Sequence, residues 1–202
     1  MGITPKQFAE LQTRTRPTRR VVQPVLEASG RSSPRAHEVI LGIDPSLRGT
    51  GYGVIRLSKP QPRMLACGTI TCPAGWEPSR CLVKIVQTLR EVIQQSHPTV
   101  CAVEGLFFAQ NLQTALMMGQ ARGASLVAAA EAGLEIYEMA PRKMKQAIVG
   151  YGGAQKLAVA KMVQRLLGLA ELPAPDAADA LALALAHAQS VSRYTFSPPK
   201  RI

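Results

Sequence analysis

The chain has 202 residues, 47% of them apolar, and 24 Lys and Arg face 13 Asp and Glu for a net charge of +11. That length suits one domain of ordinary size plus an appendage, with a core built mainly from aliphatic residues because aromatics make up 4%. No apolar run approaches the roughly 18 residues needed to cross a bilayer, and the N-terminus lacks the apolar stretch of a secretory signal, so a soluble intracellular protein is expected. The cysteines (Cys67, Cys72, Cys81, Cys101) form no C-x-x-C pair, and His37, His97 and His187 complete no zinc pattern. Reduced thiols are the expectation. The positive charge favours a polyanionic partner, either nucleic acid or an anionic membrane surface.

Residues 1–38 contain Pro5, Pro17, Pro24 and Pro34, show no sustained helical or strand period, and carry seven basic side chains against three acids. With little apolar surface to offset ordering entropy, they read as a disordered basic extension. Its bland role is a solvated arm; its functional one is an extra non-specific DNA contact. The folded remainder spans 39–190, and 191–202 reads as a C-terminal tail. Val39–Ile43, Tyr52–Leu57 and Met64–Ile70 are short β-like runs separated by Gly, Pro and Lys. A helix is predicted around Pro78–Gln95, with Leu82, Ile85, Val86, Leu89 and Ile93 on one face. Val100–Val103 is a buried-type strand, Gln110–Ala132 a long helix, and Leu134–Met139 another strand. Helices follow near Arg142–Val149, Ala154–Leu169 and Asp176–Ser190, the last entered through Pro173–Pro175. Short turns between the first three strands predict antiparallel pairing. The helices between the later strands predict parallel pairing. The expected fold class is α/β: a mixed five-stranded sheet flanked by helices.

The chain has only three aspartates, Asp44, Asp176 and Asp179. Asp44 ends the first apolar strand, and Glu104 ends the fourth. Asp176 and Asp179 open the last helix, three residues apart and therefore on one face. In open α/β sheets functional residues gather at the carboxyl ends of strands, so these four acids can meet there. Clustered carboxylates repel unless protons or cations intervene. Oxygen-only ligands select hard ions, so two Mg²⁺, with Mn²⁺ as a substitute, are the expected cofactors. Such a pair is the standard apparatus of phosphodiester hydrolysis. Each of the three aspartates also has a plainer reading: an N-cap for Asp176, helix-dipole compensation for Asp179 and an Asx turn for Asp44.

From Ala140 to Ala170 the chain carries Arg142, Lys143, Lys145, Lys156, Lys161 and Arg165 and no acid. One-sign runs usually mark a solvated face; beside a carboxylate cluster this one reads as a phosphate-binding segment. Phe107 and Phe108 follow Glu104 closely. One of the two is expected in the core and the other stacked on an unpaired base. Arg48 and Arg122 are candidates for phosphate contacts or for positioning the acids.

The segments ILGIDPSLRGTGYGVI, VEGLFFAQNLQTALMMGQARG, MAPRKMKQAIVGYGGAQK and PDAADALALALAHA, in this order, resemble the motifs of the RuvC family of junction resolvases. The resemblance covers about Val39–Gln189. It implies an RNase H-like fold, a homodimer, and an endodeoxyribonuclease that nicks four-way (Holliday) junctions symmetrically, leaving 5′-phosphates, in recombination and repair. It carries the catalytic, metal-holding acids onto Asp44, Glu104, Asp176 and Asp179. It carries a junction-contacting aromatic onto Phe107 and DNA-contacting lysines onto Lys145 and Lys156; Arg122 joins this DNA-binding set. It also implies the RuvA–RuvB branch-migration proteins as partners and a bacterial cytoplasmic location. The rivals are an RNase H-like nuclease of other specificity, an actin-like nucleotide-binding domain, for which the chain is too short, and a junction-binding module without catalysis. The Gln110–Ala132 helix, rich in Ala, Met and Leu, is the expected dimer surface.

Overall fold

In the computed structural model, residues 37–105, 112–192 and 200–202 are described. The chain divides into two compact units, 1–34 and 35–202, and every described residue belongs to the second. The basic extension predicted for 1–38 therefore lies almost wholly outside the described residues. His37 and Glu38 belong to the folded unit: the Glu38 N–H donates to Thr99 Oγ1, and its carbonyl accepts from Leu57.

The elements are β1 (Val39–Asp44), β2 (Gly49–Arg56), β3 (Arg63–Thr71), α1 (Pro78–Ser96), β4 (Val100–Glu104), α2 (Leu112–Glu131), β5 (Glu135–Met139), α3 (Pro141–Val149), α4 (Lys156–Leu167), α5 (Pro175–Ser192) and β6 (Lys200–Arg201). They build a sheet of order β3-β2-β1-β4-β5-β6. The β1–β2 and β2–β3 pairs are antiparallel, as short hairpin turns require, while β1–β4 and β4–β5 are parallel across helical connections. The sheet has six strands where five were expected. The extra strand is a two-residue edge pairing of Lys200–Arg201 with β5, inside the segment read as a tail. Two residues are too few to produce a periodic signal.

Alternation along the strands divides the core between the two sheet faces. Leu41, Ile43, Cys101 and Val103 face one side, where they meet Cys81, Ile85 and Leu89 of α1 and Ala121, Ala128 and Ala129 of α2. Ile40, Val100 and Ala102 face the other side, against α3, α4 and the Ala/Leu-rich α5. Helix α5 lies unusually close to the strands. A Cβ on Gly42 would stand 1.9 Å from the Ala180 carbonyl oxygen, and one on Gly51 would stand 2.0 Å from that of Asp176. Only residues without a side chain permit that approach. Burial of the alanines from Ala177 to Ala186 completes it. Among the described residues no helix is long and apolar enough to cross a membrane.

At the rim beside β5, His187 of α5 is fully buried and its Nε2 lies 3.1 Å from Nδ1 of His37, while its Nδ1 has no partner among the described residues. Burial and the neighbouring His37 push its pKa down to about 4.

Candidate active site

Strand register brings the first two acids together. Ile43 pairs with Val103 in the parallel β1–β4 ladder, so the next residues, Asp44 and Glu104, stand side by side at the carboxyl ends of adjacent central strands. The period of two then aims both at the face carrying α5. Asp44 follows Ile40 and Gly42, and Glu104 follows Val100 and Ala102, all of which look toward that helix. On β2 the partner of Asp44 is Gly51, and the first turn of α5 rests on Gly51 through Asp176. The same contact sets the Asp176 carboxylate beside Gly49, where a Cβ would lie 3.0 Å from Oδ2. Asp179, one turn further into α5, is 7% exposed.

The electrostatics are those of crowded, half-buried acids. Asp44 and Glu104 share a side-chain hydrogen bond, which needs a proton on one of them. Burial raises the Glu104 pKa to about 8, reinforced by Asp44 and then by Asp179. Burial also raises Asp44, and Asp179 and Asp176 add to the rise. The compensating cation is Lys156, at the start of α4, whose Nζ lies 3.2 Å from Asp179 Oδ2. Burial works to lower the Lys156 pKa, but Asp179, Asp44 and Asp176 together raise it. Among the described residues no three His, Cys, Asp or Glu side chains stand close enough to hold a metal ion as they are. The direct contact is Asp44–Glu104, and Asp179 turns to Lys156.

The other residues singled out in the sequence fall into three places. Arg122 of α2 is part-buried; its guanidinium pairs with Glu138 of β5 and donates from Nε to the Glu104 carbonyl oxygen at 3.4 Å. It braces the end of β4 from behind. Lys145 is half-buried on α3, the helix that leaves the end of β5, and Arg142, Lys161 and Arg165 are exposed. Phe107 and Phe108 lie outside the described residues. Sequence reasoning missed Glu138 as the partner of Arg122 and the Lys156–Asp179 pair, because both join distant stretches of chain. Gly49 and Gly51 stand inside the segment ILGIDPSLRGTGYGVI, and their closeness to α5 was not read from it.

A parallel-centred mixed sheet with helices on both faces and carboxylates at neighbouring strand ends defines an RNase H-like nuclease. Residues 40–187 match the family model "Crossover junction endodeoxyribonuclease RuvC". The chain belongs to the RuvC family of crossover junction endodeoxyribonucleases. It is 49% identical over 151 residues to the protein of that name from Moorella thermoacetica, covering 74% of this chain and 90% of that one. It is 45% identical over 149 residues to the one from Chloroflexus aurantiacus, covering 73% and 91% respectively. Among solved structures it resembles T. thermophilus RuvC in complex with Holliday junction substrate, with a TM-score of 0.74 and 37% identity over 81% of this chain and 100% of that one.

Proposed function

We propose that this chain resolves Holliday junctions by metal-dependent hydrolysis, with Asp44, Glu104, Asp176 and Asp179 as its catalytic and metal-holding residues. The observation that carries the reading is the Asp44–Glu104 contact at the ends of β1 and β4, roofed by the first two turns of α5. An all-oxygen donor set of this charge suits a hard divalent cation, Mg²⁺ or Mn²⁺. The raised pKa of Glu104 points the same way, since it marks negative charge that a proton now neutralises. Two Mg²⁺, when bound, supply a water of lowered pKa and neutralise charge on the leaving 3′ oxygen.

The chain's own groups then have distinct tasks. Asp44, Glu104, Asp176 and Asp179 would hold the ions, with the proton between Asp44 and Glu104 lost and Asp179 released from Lys156. Lys156, freed from Asp179, and Lys145 hold phosphates of the bound strand, and Phe107 stacks on a base at the junction. Arg122, tied to Glu138 and to the Glu104 carbonyl, holds the end of β4 to β5 and so steadies the strand that carries Glu104. Paired nicks require two such sites, so the active species is a homodimer, joined through α2, where Leu112 and Leu116 are 76% and 59% exposed. It works in the bacterial cytoplasm beside RuvA–RuvB. Asp44→Asn tests the assignment: the variant binds a synthetic four-way junction as tightly as wild type and does not cut it. Normal cutting would remove Asp44 from the site.

A further inference from the structure

The carboxylates sit at the middle of the sheet order and aim at the face carrying α5, and Lys145 and Lys156 lie on α3 and α4, which pack on that same face. A second group of cations lies on the other side. Arg48 occupies the β1–β2 turn, one residue before Gly49, which borders the Asp176 carboxylate. Its guanidinium donates to the Pro73 carbonyl and to Cys81 Sγ, and its own carbonyl accepts from the Cys72 N–H. Gly49 pairs with Thr71 across β2–β3, and the Thr71 carbonyl accepts from Lys84 Nζ at 2.8 Å. Lys84 stands 5.3 Å from the centroid of the Trp76 ring, and the Arg80 guanidinium covers that ring at 4.0 Å. An unbroken path of contacts therefore runs from the rim of the acid cluster to Trp76.

The partners of these cations leave their charge uncompensated. Carbonyls, a thiol and an aromatic face fix their positions, and among the described residues no carboxylate pairs with Arg48, Arg80 or Lys84. Elsewhere the same chain does neutralise exposed cations: Arg90, further along α1, forms a two-pronged pair with Glu131. Cations held in place by neutral groups, spaced around one tryptophan beside a nuclease site, match a phosphodiester backbone.

We propose that Arg80 and Lys84, organised on Trp76 and continuous with Arg48, bind phosphates of the DNA on the β2–β3 side of the cut. Substrate is then gripped on both flanks of the carboxylates, by this surface and by the α3–α4 lysines. The proposal rests on the junction-resolving reading above and adds a contact surface to it.

The test is the salt dependence of junction binding by the full chain, in chelator so that nothing is cut. Each phosphate contact adds about 0.9 to the slope on duplex arms, so Arg80→Ala/Lys84→Ala is expected to flatten it by about 1.8. Trp76 is the only tryptophan of the chain, so its emission in the wild type is expected to change as junction is added. Arg90→Ala is expected to leave the slope as it is. An unchanged slope in the double variant overturns the proposal. If Lys145→Ala flattens the slope while the double variant does not, the resolvase reading stands and this surface falls. If wild type fails to bind the junction, both fall.

Discussion

Glu104 ends an apolar strand at the edge of solvent, with Asp44 against it and Asp179 near. Its pKa, raised to about 8, is expected to make the stability of the metal-free protein fall between about pH 4.5 and about pH 8. A carboxyl whose folded pKa exceeds its unfolded value adds stability that is full below the unfolded value, about 4.5, and lost as pH rises through about 8. In chelator the wild-type Tm is therefore expected to fall across that interval more than the Tm of Glu104→Gln, which has no such proton to lose. Parallel curves for the two proteins would show that Glu104 is not held protonated. Divalent cation is expected to abolish the difference, because it replaces the proton as the neutralising charge. At this scale Asp44 and Glu104 were legible in the sequence, since each terminates an apolar run and a soluble strand rarely ends on an unpaired acid without reason. The Lys156–Asp179 pair was not. Which cation meets which acid depends on how α4 is laid against α5, and local spacing carries no trace of that.

Helix α5 is the element on which the proposed site depends, because it brings two acids to a sheet that supplies the other two. Its Ala-rich face and the glycines of β1 and β2 are one device: small residues on both surfaces let the helix backbone approach until Asp176 lies over Gly51. Gly51→Ala would drive a methyl group to 2.0 Å from the Asp176 carbonyl oxygen. Overpacking of this kind costs about 1–3 kcal/mol, and more where backbone must move. The variant is expected to unfold at lower denaturant and, even where folded, to cut poorly because Asp176 is displaced. Wild-type stability and cutting would mean that α5 can lift off without consequence. The helix itself was legible from its Pro entry and aspartates. Its closeness to the sheet was not, because Gly in a strand signals either a bend or an approaching backbone, and only the fold distinguishes them. The edge strand β6 escaped for a different reason: a two-residue strand is recruited by β5, not by its own sequence.

Across the unit of residues 35–202, the core lies on both faces of one sheet and the acids emerge at the centre of its carboxyl edge. Helix α2 contributes Ala121, Ala128 and Ala129 inward yet leaves Leu112, Leu116 and Met117 exposed near its start. An apolar patch of this kind fits the proposed dimer contact. Leu116→Glu is expected to shift the protein toward monomer in light scattering and to convert paired nicks into unpaired ones. A monomeric wild type would remove the dimer from the account. The net charge of +11 was legible as a preference for polyanions, but its distribution was not, since Arg80 and Lys84 acquire their setting only from Trp76 and the end of β3.

The carboxylate cluster is proposed to cut four-way DNA. The most direct measurement incubates the protein with a synthetic four-way junction, a matched linear duplex and an RNA–DNA hybrid, each with Mg²⁺ and with chelator. Symmetric nicks are expected in two opposed strands of the junction alone, with ligatable 5′-phosphate ends, abolished by chelator. Cutting of the hybrid in place of the junction, or tight junction binding without cutting in either Mg²⁺ or Mn²⁺, would contradict that proposal.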